Sequence, residues 1–348
     1  MPDITMADVA KAAQVSRLTV SAVFNQRSAQ LRTSERTAKK VFEAAEALGY
    51  RRNEVARSMV SGRSNFIGYV DLDLANEFSS RTLDGLAEEA DRHGYFVKLA
   101  TFKEPGRFVA AVRRAIEQRP AALIYRFSNE ADLEYLFGEC GRFEIPLAIV
   151  GSAFHHERGI RVATDDAHGA ELAAGHLLGL GHERVAHLSH ARGTEYVESR
   201  RRGFLDAMRR RGHDVADSLM IHENSAAAVE AELSRLFGAA ARPTAVFCAT
   251  DFLAMAALRI ARKRGLRVPE DLSVVGFADL EMAKHADPPL TTVAEPFEEV
   301  GRSAFRLVNE ELGRGEKVSF RQELSINLGV ELVVRDSTGP AAGRKDAS

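Results

Sequence analysis

The chain has 348 residues, 45% hydrophobic and 28% charged, which excludes a disordered or fibrous protein and predicts two or three domains rather than one core. No stretch approaches the roughly 20 apolar residues of a membrane helix, and MPDITMADVA lacks a basic start followed by an apolar run, so a cytoplasmic location is expected. The net charge of −2 hides an asymmetry: residues 1–63 hold eleven Lys or Arg against six Asp or Glu, so a basic head on an acidic body points to a polyanion partner for the head alone.

Thr5-Met6-Ala7-Asp8 has the form of a capping box, with Thr5 as N-cap and Asp8 at the third helical position. Ile4, Val9 and Ala12 or Ala13 supply the apolar stripe of a short first helix. Gln14-Val15-Ser16 breaks it, and Ser16 is a good N-cap for a second helix beginning at Arg17. Val20, Val23 and Phe24 recur there at helical spacing, and Asn25 is the expected stop. Two short helices joined by about three residues form a helix-turn-helix, whose second helix lies in the major groove of DNA. Arg17, Thr19 and Ser21 face outward near its start, with Leu18 beside them. An ordinary three-helix bundle shares the pattern. A third helix is predicted from Thr33 or Ser34 to Leu48, packing through Val41, Phe42, Ala45 and Leu48, with Gly49 capping its end.

Asn53-Glu54-Val55-Ala56-Arg57-Ser58-Met59-Val60-Ser61-Gly62 reads as a brief helix between two joints. About eight residues make a marginal helix, because nucleation is costly. It is either a hinge that folds against a partner copy or DNA, or a plain linker.

Beyond Gly62, apolar runs alternate with amphipathic helices. Phe66–Val70, Tyr95–Ala100, Ala121–Tyr125 and Leu147–Val150 read as buried strands, and Val185–Leu188, Thr244–Ala249 and Leu272–Phe277 form a second series. Helices are predicted near 83–93, 167–180, 197–211 and 251–264. Such alternation implies parallel sheets covered on both faces, hence two doubly wound α/β lobes. Ligands bind such sheets beyond the carboxyl ends of the strands. Cys140 and Cys248 sit in separate apolar segments and are expected to be reduced core thiols.

Several segments carry a family resemblance. ITMADVAKAAQVSRLTVSAVFN, the helix ending ALGY, and NEVARSMVSGRSNFIGYV resemble the start of the lactose-repressor (LacI/GalR) family. IPLAIVGSAF, VATDDAHGAELAAGHLLGLGHERVAHLSH, ESRRRGFLDAM, TAVFCATDFLAMAALRIARKRGLRVPEDLSVVGFADL and PPLTTVAEPFEEVG resemble its later motifs, so the likeness spans nearly the whole chain. It implies a helix-turn-helix head over 1–50, a hinge over 51–63 and a two-lobed body of periplasmic-binding-protein type over 64–338, followed by a tail over 339–348. The N-lobe is expected over 64–163 and 293–323, and the C-lobe over 164–292 and 324–338. The implied activity is transcriptional regulation, most often repression, by a homodimer on a pseudo-palindromic double-stranded DNA operator. A small-molecule effector controls it, and neither cofactor nor membrane is involved. STGPAAGRKDAS lacks leucine heptads, so a tetramer through a C-terminal coiled coil is not expected.

The DNA-binding residues implied by the resemblance are Thr5, Ser16, Arg17, Leu18, Thr19, Ser21, Ala22 and Asn25 in the head, and Arg52, Asn53, Ala56, Arg57 and Met59 in the hinge. Met59 stands where the family usually has a leucine that enters the minor groove, and such wedges kink DNA. Ala22 occupies a place often held by Arg or His, which removes a base contact and predicts a different operator. Gln14 replaces a Gly or Asn of the turn, and Arg52 replaces a proline before the hinge.

The effector-binding residues implied are Asp73, Phe78, Tyr125, Phe127, Arg200, Thr250, Asp251 and Asp279. Asp251 is equally suited to capping its helix, and Asp279 to stabilising its loop. Glu77 replaces a proline in the loop beside Phe78. Sugar-binding members often have Asp, Asn and Asp where this chain has Gly151, Thr250 and Ala278. Losing three polar positions disfavours a common hexose. Tyr125, Arg126 and Phe127 could supply stacking and positive charge, leaving a sugar derivative and an anionic or partly apolar metabolite both open. His155-His156 and His182, His187 and His190 show no HExxH spacing, and no CxxC accompanies them, so no metal is expected. No GxSxG elbow, P-loop or GxGxxG following a strand anchors an enzymatic reading.

Overall fold

The head is built on α1 (Met6–Ala13), α2 (Arg17–Phe24) and α3 (Glu35–Leu48). At the start of α1 the Thr5 N–H and hydroxyl both donate to Asp8 Oδ2, at 2.8 and 2.7 Å. Gln14 ends the helix in the left-handed conformation at φ 54°. Ser16 Oγ accepts the Thr19 N–H at 3.0 Å and starts α2. Val9, Ala10, Ala13, Val20, Val23, Val41 and Ala45 form the core. Phe42 and Leu48, expected in that core, are 52% and 36% exposed. Val41 and Ala45, four apart, already fill the buried face of α3, and Phe42 lies one step round the helix, edge-on to Phe24 at 5.6 Å.

This computed structural model describes residues 4–24, 33–51, 64–126, 130–151, 159–190, 195–213, 215, 217–221, 226–240, 242–314 and 324–341. Asn25, Arg52, Asn53, Ala56, Arg57, Met59 and Phe127 therefore lie outside the described residues. The chain forms two units, Met1–Ser64 and Asn65–Ser348.

The second unit contains two six-stranded sheets. The first uses β1 (Phe66–Asp71), β2 (Phe96–Thr101), β3 (Ala122–Arg126), β4 (Leu147–Val150), β5 (Ile160–Thr164) and β11 (Leu324–Leu328), in the order β11-β5-β4-β3-β1-β2. The second uses β6 (Val185–His190), β7 (Asp217–Ile221), β8 (Ala245–Cys248), β9 (Ser273–Ala278), β10 (Thr291–Ala294) and β12 (Glu331–Val333), in the order β12-β10-β9-β8-β6-β7. All pairings are parallel except that of β12 with β10. Strands such as Phe66–Asp71 and Ser273–Ala278 are buried throughout, as two-sided helix cover requires. Strands β5, β7, β10, β11 and β12 escape the hydrophobic pattern, because they are short or carry buried polar residues such as Arg161, Thr291 and Thr292.

Helices α4 (Glu77–Arg92), α5 (Phe108–Glu117), α6 (Glu130–Arg142) and α12 (Phe297–Arg314) accompany the first sheet. A Cβ at Gly85 or Gly301 would overlap the backbone of Glu298 or Thr82, so glycine is what lets α4 and α12 touch. Helices α7 (Asp166–Gly179), α8 (Glu195–Arg210), α9 (Ala226–Gly238) and α10 (Asp251–Lys263) accompany the second sheet, and the short α11 (Glu281–Lys284) follows β9. Cys140 and Cys248 are buried in two different cores, and burial pushes the Cys140 thiol up to about 12.

Three segments pass between the sheets: after Thr164, after Ala294 and after Leu328. Two passages correct expected lobe boundaries: Val293 and Ala294, expected in the first lobe, pair with Phe277 and Ala278 in the second sheet, and the boundary expected at 323/324 falls after Leu328. Leu324–Leu328 pairs in register with Ile160–Thr164 and so belongs to the first sheet, where it forms the edge strand.

Candidate functional site

Two surfaces bring expected residues together. In the head, the capped start of α2 leaves Arg17 exposed and Leu18 65% exposed, with Thr19 and Ser21 half-buried beside them. Thr5 and Ser16 are exposed and serve as the caps described above. Ala22, expected to face base edges, is instead 4% exposed.

In the body, the carboxyl ends of β1, β3 and β4 place Asp71, Arg126 and Gly151 side by side. Phe78, in the first turn of α4, lies over them. The Arg126 Cζ stands 4.6 Å from the Phe78 ring centroid. Asn76 caps α4 by accepting the Ser79 N–H at 2.9 Å. Asp71 is fully buried, accepts from Tyr69 Oη at 3.1 Å and from the Asp73 N–H at 3.3 Å, and burial raises its carboxyl above the usual range. Asp73 accepts the Ala75 N–H at 3.0 Å and shapes the loop between β1 and α4.

The second lobe meets this corner directly. Phe78 packs with Ala278, Leu280 and Phe297, its ring 4.9 Å from that of Phe297. Both carboxylate oxygens of Glu77 accept the Glu281 N–H, at 3.2 and 2.9 Å. The residue replacing a proline is thus a polar latch between the lobes.

Tyr125 is corrected from cleft to core. It is fully buried, its hydroxyl donates to Asp132 Oδ2 at 3.0 Å and its ring lies 5.6 Å from Phe108. Side chains alternate along a strand, so if Tyr125 enters the core its neighbour Arg126 faces the other way. The strand end therefore turns Arg126, not Tyr125, toward Phe78.

Arg200 is 4% exposed and already engaged. Its Nε donates to Asp166 Oδ1 at 2.7 Å, Nη1 to the Ala249 carbonyl at 2.9 Å, and Nη2 to Glu295 Oε2 at 2.9 Å. Its Cζ lies 3.6 Å from the Phe277 ring centroid. The other oxygen of Glu295 accepts from Thr164 Oγ1 at 3.1 Å, and the Asp165 N–H donates to the Leu328 carbonyl at 2.9 Å. All three passages between the lobes are therefore tied at one buried cluster. Burial opposes the charge on Arg200, but Asp166 and Glu295 hold it above its ordinary value; burial pushes Asp166 up to about 7 against the pull of Arg200. Neither Asp166 nor Glu295 stands out in the sequence, where an acidic residue near a strand end looks like any surface carboxylate.

The other expected effector residues have structural work. Thr250 caps α10 by accepting the Leu253 N–H at 3.3 Å. Asp251 is fully buried, accepting the Leu280 N–H at 2.8 Å and the Thr292 hydroxyl at 2.6 Å, and burial pushes it up to about 6. It pins the loop after β9 rather than facing a ligand. Asp279, in the left-handed region at φ 52°, pairs with Arg335 at 2.6 Å, and Arg335 also donates to the Leu290 carbonyl at 2.8 Å. Of the histidines, His182 bridges Thr244 and the Gly339 carbonyl at 3.0 Å each, while His187 lies between Phe204 and Phe247.

Comparison with known proteins gives matches over both units. Residues 5–53 match the model of bacterial regulatory proteins of the lacI family, and residues 174–338 match the periplasmic binding protein-like domain. The chain is 34% identical over 339 residues to the HTH-type transcriptional regulator DegA of Bacillus subtilis (strain 168), covering 97% of this chain and 98% of that protein. The structure of the lac repressor dimer bound to operator and the anti-inducer ONPF is similar at a TM-score of 0.81 and 26% identity, covering 97% of this chain and 99% of that one. A complex of the transcriptional regulator CelR with cellobiose is similar at a TM-score of 0.69 and 26% identity, covering 96% and 99%.

Proposed function

Because the chain belongs to the lacI family of bacterial regulatory proteins, we propose that it is a homodimeric, cytoplasmic repressor whose grip on a pseudo-palindromic operator is set by a small effector bound between its lobes. The observation that carries this is the joining, in one chain, of an exposed Arg17–Leu18 pair on a capped second helix with a body whose lobes are tied at a single buried cluster. Two heads on adjacent half-sites give each recognition helix one major groove. Arg17, Leu18, Thr19 and Ser21 read bases there, Thr5 and Ser16 hold the backbone of the operator, and the 51–63 hinge with Asn53, Ala56, Arg57 and Met59 reaches the minor groove.

The effector site is the corner of Asp73, Phe78 and Arg126 facing Ala278 and Leu280. A ligand there changes the angle between lobes only by binding the open and closed forms unequally, a coupling of typically ~1–3 kcal/mol. The Glu77–Glu281 latch and the Arg200 cluster are the contacts through which that difference acts. Likeness to CelR supports a site of this kind, and the cellobiose there is that protein's ligand.

The test is binding of purified protein to DNA from upstream of its own and neighbouring genes, against scrambled competitor. A protected pseudo-palindrome, lost steeply with salt as phosphate contacts release counterions, is the expected result. Absence of any preferred site at low salt overturns the proposal.

A further inference from the structure

Arg126, at the end of β3, and Arg200, inside α8, differ in one respect. All three nitrogens of Arg200 are hydrogen-bonded to protein oxygens. Arg126 has no such bond among the described residues, and its Nε is buried without a partner. Its nearest carboxylate oxygen is Asp71 Oδ1 at 3.8 Å, beyond hydrogen-bonding distance, and Asp71 is already held by Tyr69 and the Asp73 N–H. Phe78 lies against the face of the guanidinium. A stacked guanidinium has its plane fixed and its N–H edge free, which is the geometry that takes two oxygens of one anion.

Among the described residues, the rest of the corner offers few of the groups that a neutral polyol needs. Each sugar hydroxyl asks for an acceptor as well as a donor. Gly151 and Ala278 carry no polar side chain, Thr250 Oγ1 caps α10, and the second lobe presents Ala278 and Leu280 to Phe78, with Phe297 of α12 beside them. Beside the Asp73 carboxylate, what the described residues of the corner offer is a guanidinium with no hydrogen bond, paired with Asp71 only at 3.8 Å, next to an apolar wall.

We propose that the effector is an organic anion, its carboxylate or phosphate group held by Arg126 over Phe78 and its less polar body against Ala278 and Leu280. This rests on the effector reading given above. A buried donor left without a partner is unfavourable, and an incoming anionic oxygen relieves that while forming a charge-assisted bond. Arg126 is thereby the residue that chooses effectors by charge.

The experiment uses the full chain bound to its operator and a small-molecule extract of the cell that carries the gene, divided on an anion-exchange resin at neutral pH. The fractions are scored for any change in operator affinity. The expected result is activity in the retained fraction, with a response weakened about ten- to a hundredfold in Arg126→Met and partly recovered in Arg126→Lys, each response being taken relative to that variant's own effector-free operator affinity, with folding checked by its thermal transition. Phosphatase treatment of the active fraction separates the sources: lost activity identifies a phosphate ester, retained activity a carboxylate. Activity confined to the flow-through overturns the anion assignment and leaves the effector reading standing, as does an undiminished response in a folded Arg126→Met. If no fraction changes operator affinity, effector control itself fails and this assignment with it.

Discussion

Phe78 occupies the space that a side chain at residue 151 would need. A Cβ placed on Gly151 would stand 2.6 Å from Phe78 Cζ, and the residue sits at φ +81°, where L side chains are strained. The aromatic ring and the missing side chain are one arrangement: the strand end gives up a side chain so that the ring can lie beside Arg126.

Gly151→Ala is therefore expected to destabilise the body by about 2–4 kcal/mol, from left-handed strain and overpacking together. Phe78→Leu in the same chain should restore part of it, because the clash is removed while the strain stays. Urea unfolding of the four members of the cycle checks this. Strictly additive single effects would show that the two positions do not share the space.

Removing Arg200 should be far worse than removing its charge partners along with it. Arg200→Met strands the Asp166 and Glu295 carboxylates, an expected loss of about 3–5 kcal/mol, whereas Arg200→Met with Asp166→Asn and Glu295→Gln should recover most of it. Denaturant midpoints decide the matter. A single Arg200→Met within about 1 kcal/mol of wild type would remove the cluster from its place as the tie between the lobes.

His187 sets an acid limit on stability. It is fully buried, neither ring nitrogen has a partner among the described residues, and burial, with the nearby Arg201 charge, lowers its pKa from 6.5 to about 3. The folded value lies below the unfolded one, so the unfolded chain takes the proton first. Its stabilising contribution is complete above about pH 6.5 and is lost as pH falls toward the folded value, at about 1.4 kcal/mol per unit. Between pH 7 and 5, His187→Phe should lose about 2 kcal/mol less than wild type. Parallel pH profiles for the two proteins would assign the acid response elsewhere.

Leu18 predicts a thymine in each half-site. An exposed leucine beside Arg17 suits the C5-methyl group of thymine next to a guanine read by the arginine. Replacing that thymine by deoxyuridine removes one methyl contact, about 0.8 kcal/mol or roughly fourfold in affinity. Leu18→Ala should bind both operators alike. A wild-type protein indifferent to the methyl group at every thymine of the site contradicts the assignment.

Met59→Gly should weaken binding to the operator much more than binding to scrambled DNA, since a minor-groove wedge acts only in the specific complex. Competition assays against both DNAs measure the two losses. Equal losses would make the hinge a nonspecific contact.

Legibility differed between levels. The capping box at Thr5 and Asp8, the Ser16 cap, and the ends of α3 at Ser34 and Gly49 could be read directly, because they depend on residues within four positions of each other. Buried strands such as Phe66–Asp71 announce themselves because two-sided burial makes their run almost wholly apolar up to Asp71 at its end. Family membership was readable for the same reason, since its motifs are local strings.

What neighbours across the fold decide was not readable. That Tyr125 enters the core and Arg126 the cleft follows from the pleat, whose phase is fixed by pairing with β1 and β4. Asp251 and Asp279 became loop anchors because Leu280, Thr292 and Arg335 reach them from residues 29 to 56 positions away. Arg200 could be picked out by its motif, yet its partners Asp166 and Glu295 lie 34 and 95 residues off. Local hydrogen bonds and periodicity are properties of a segment, so the sequence alone determined the capped helices of the head, the strands buried on both faces, the order of the lobes and the kind of protein. Which side chains meet, and so which charges are spent inside the protein and which are left for a ligand, is a property of packing, and only the tertiary structure decided it.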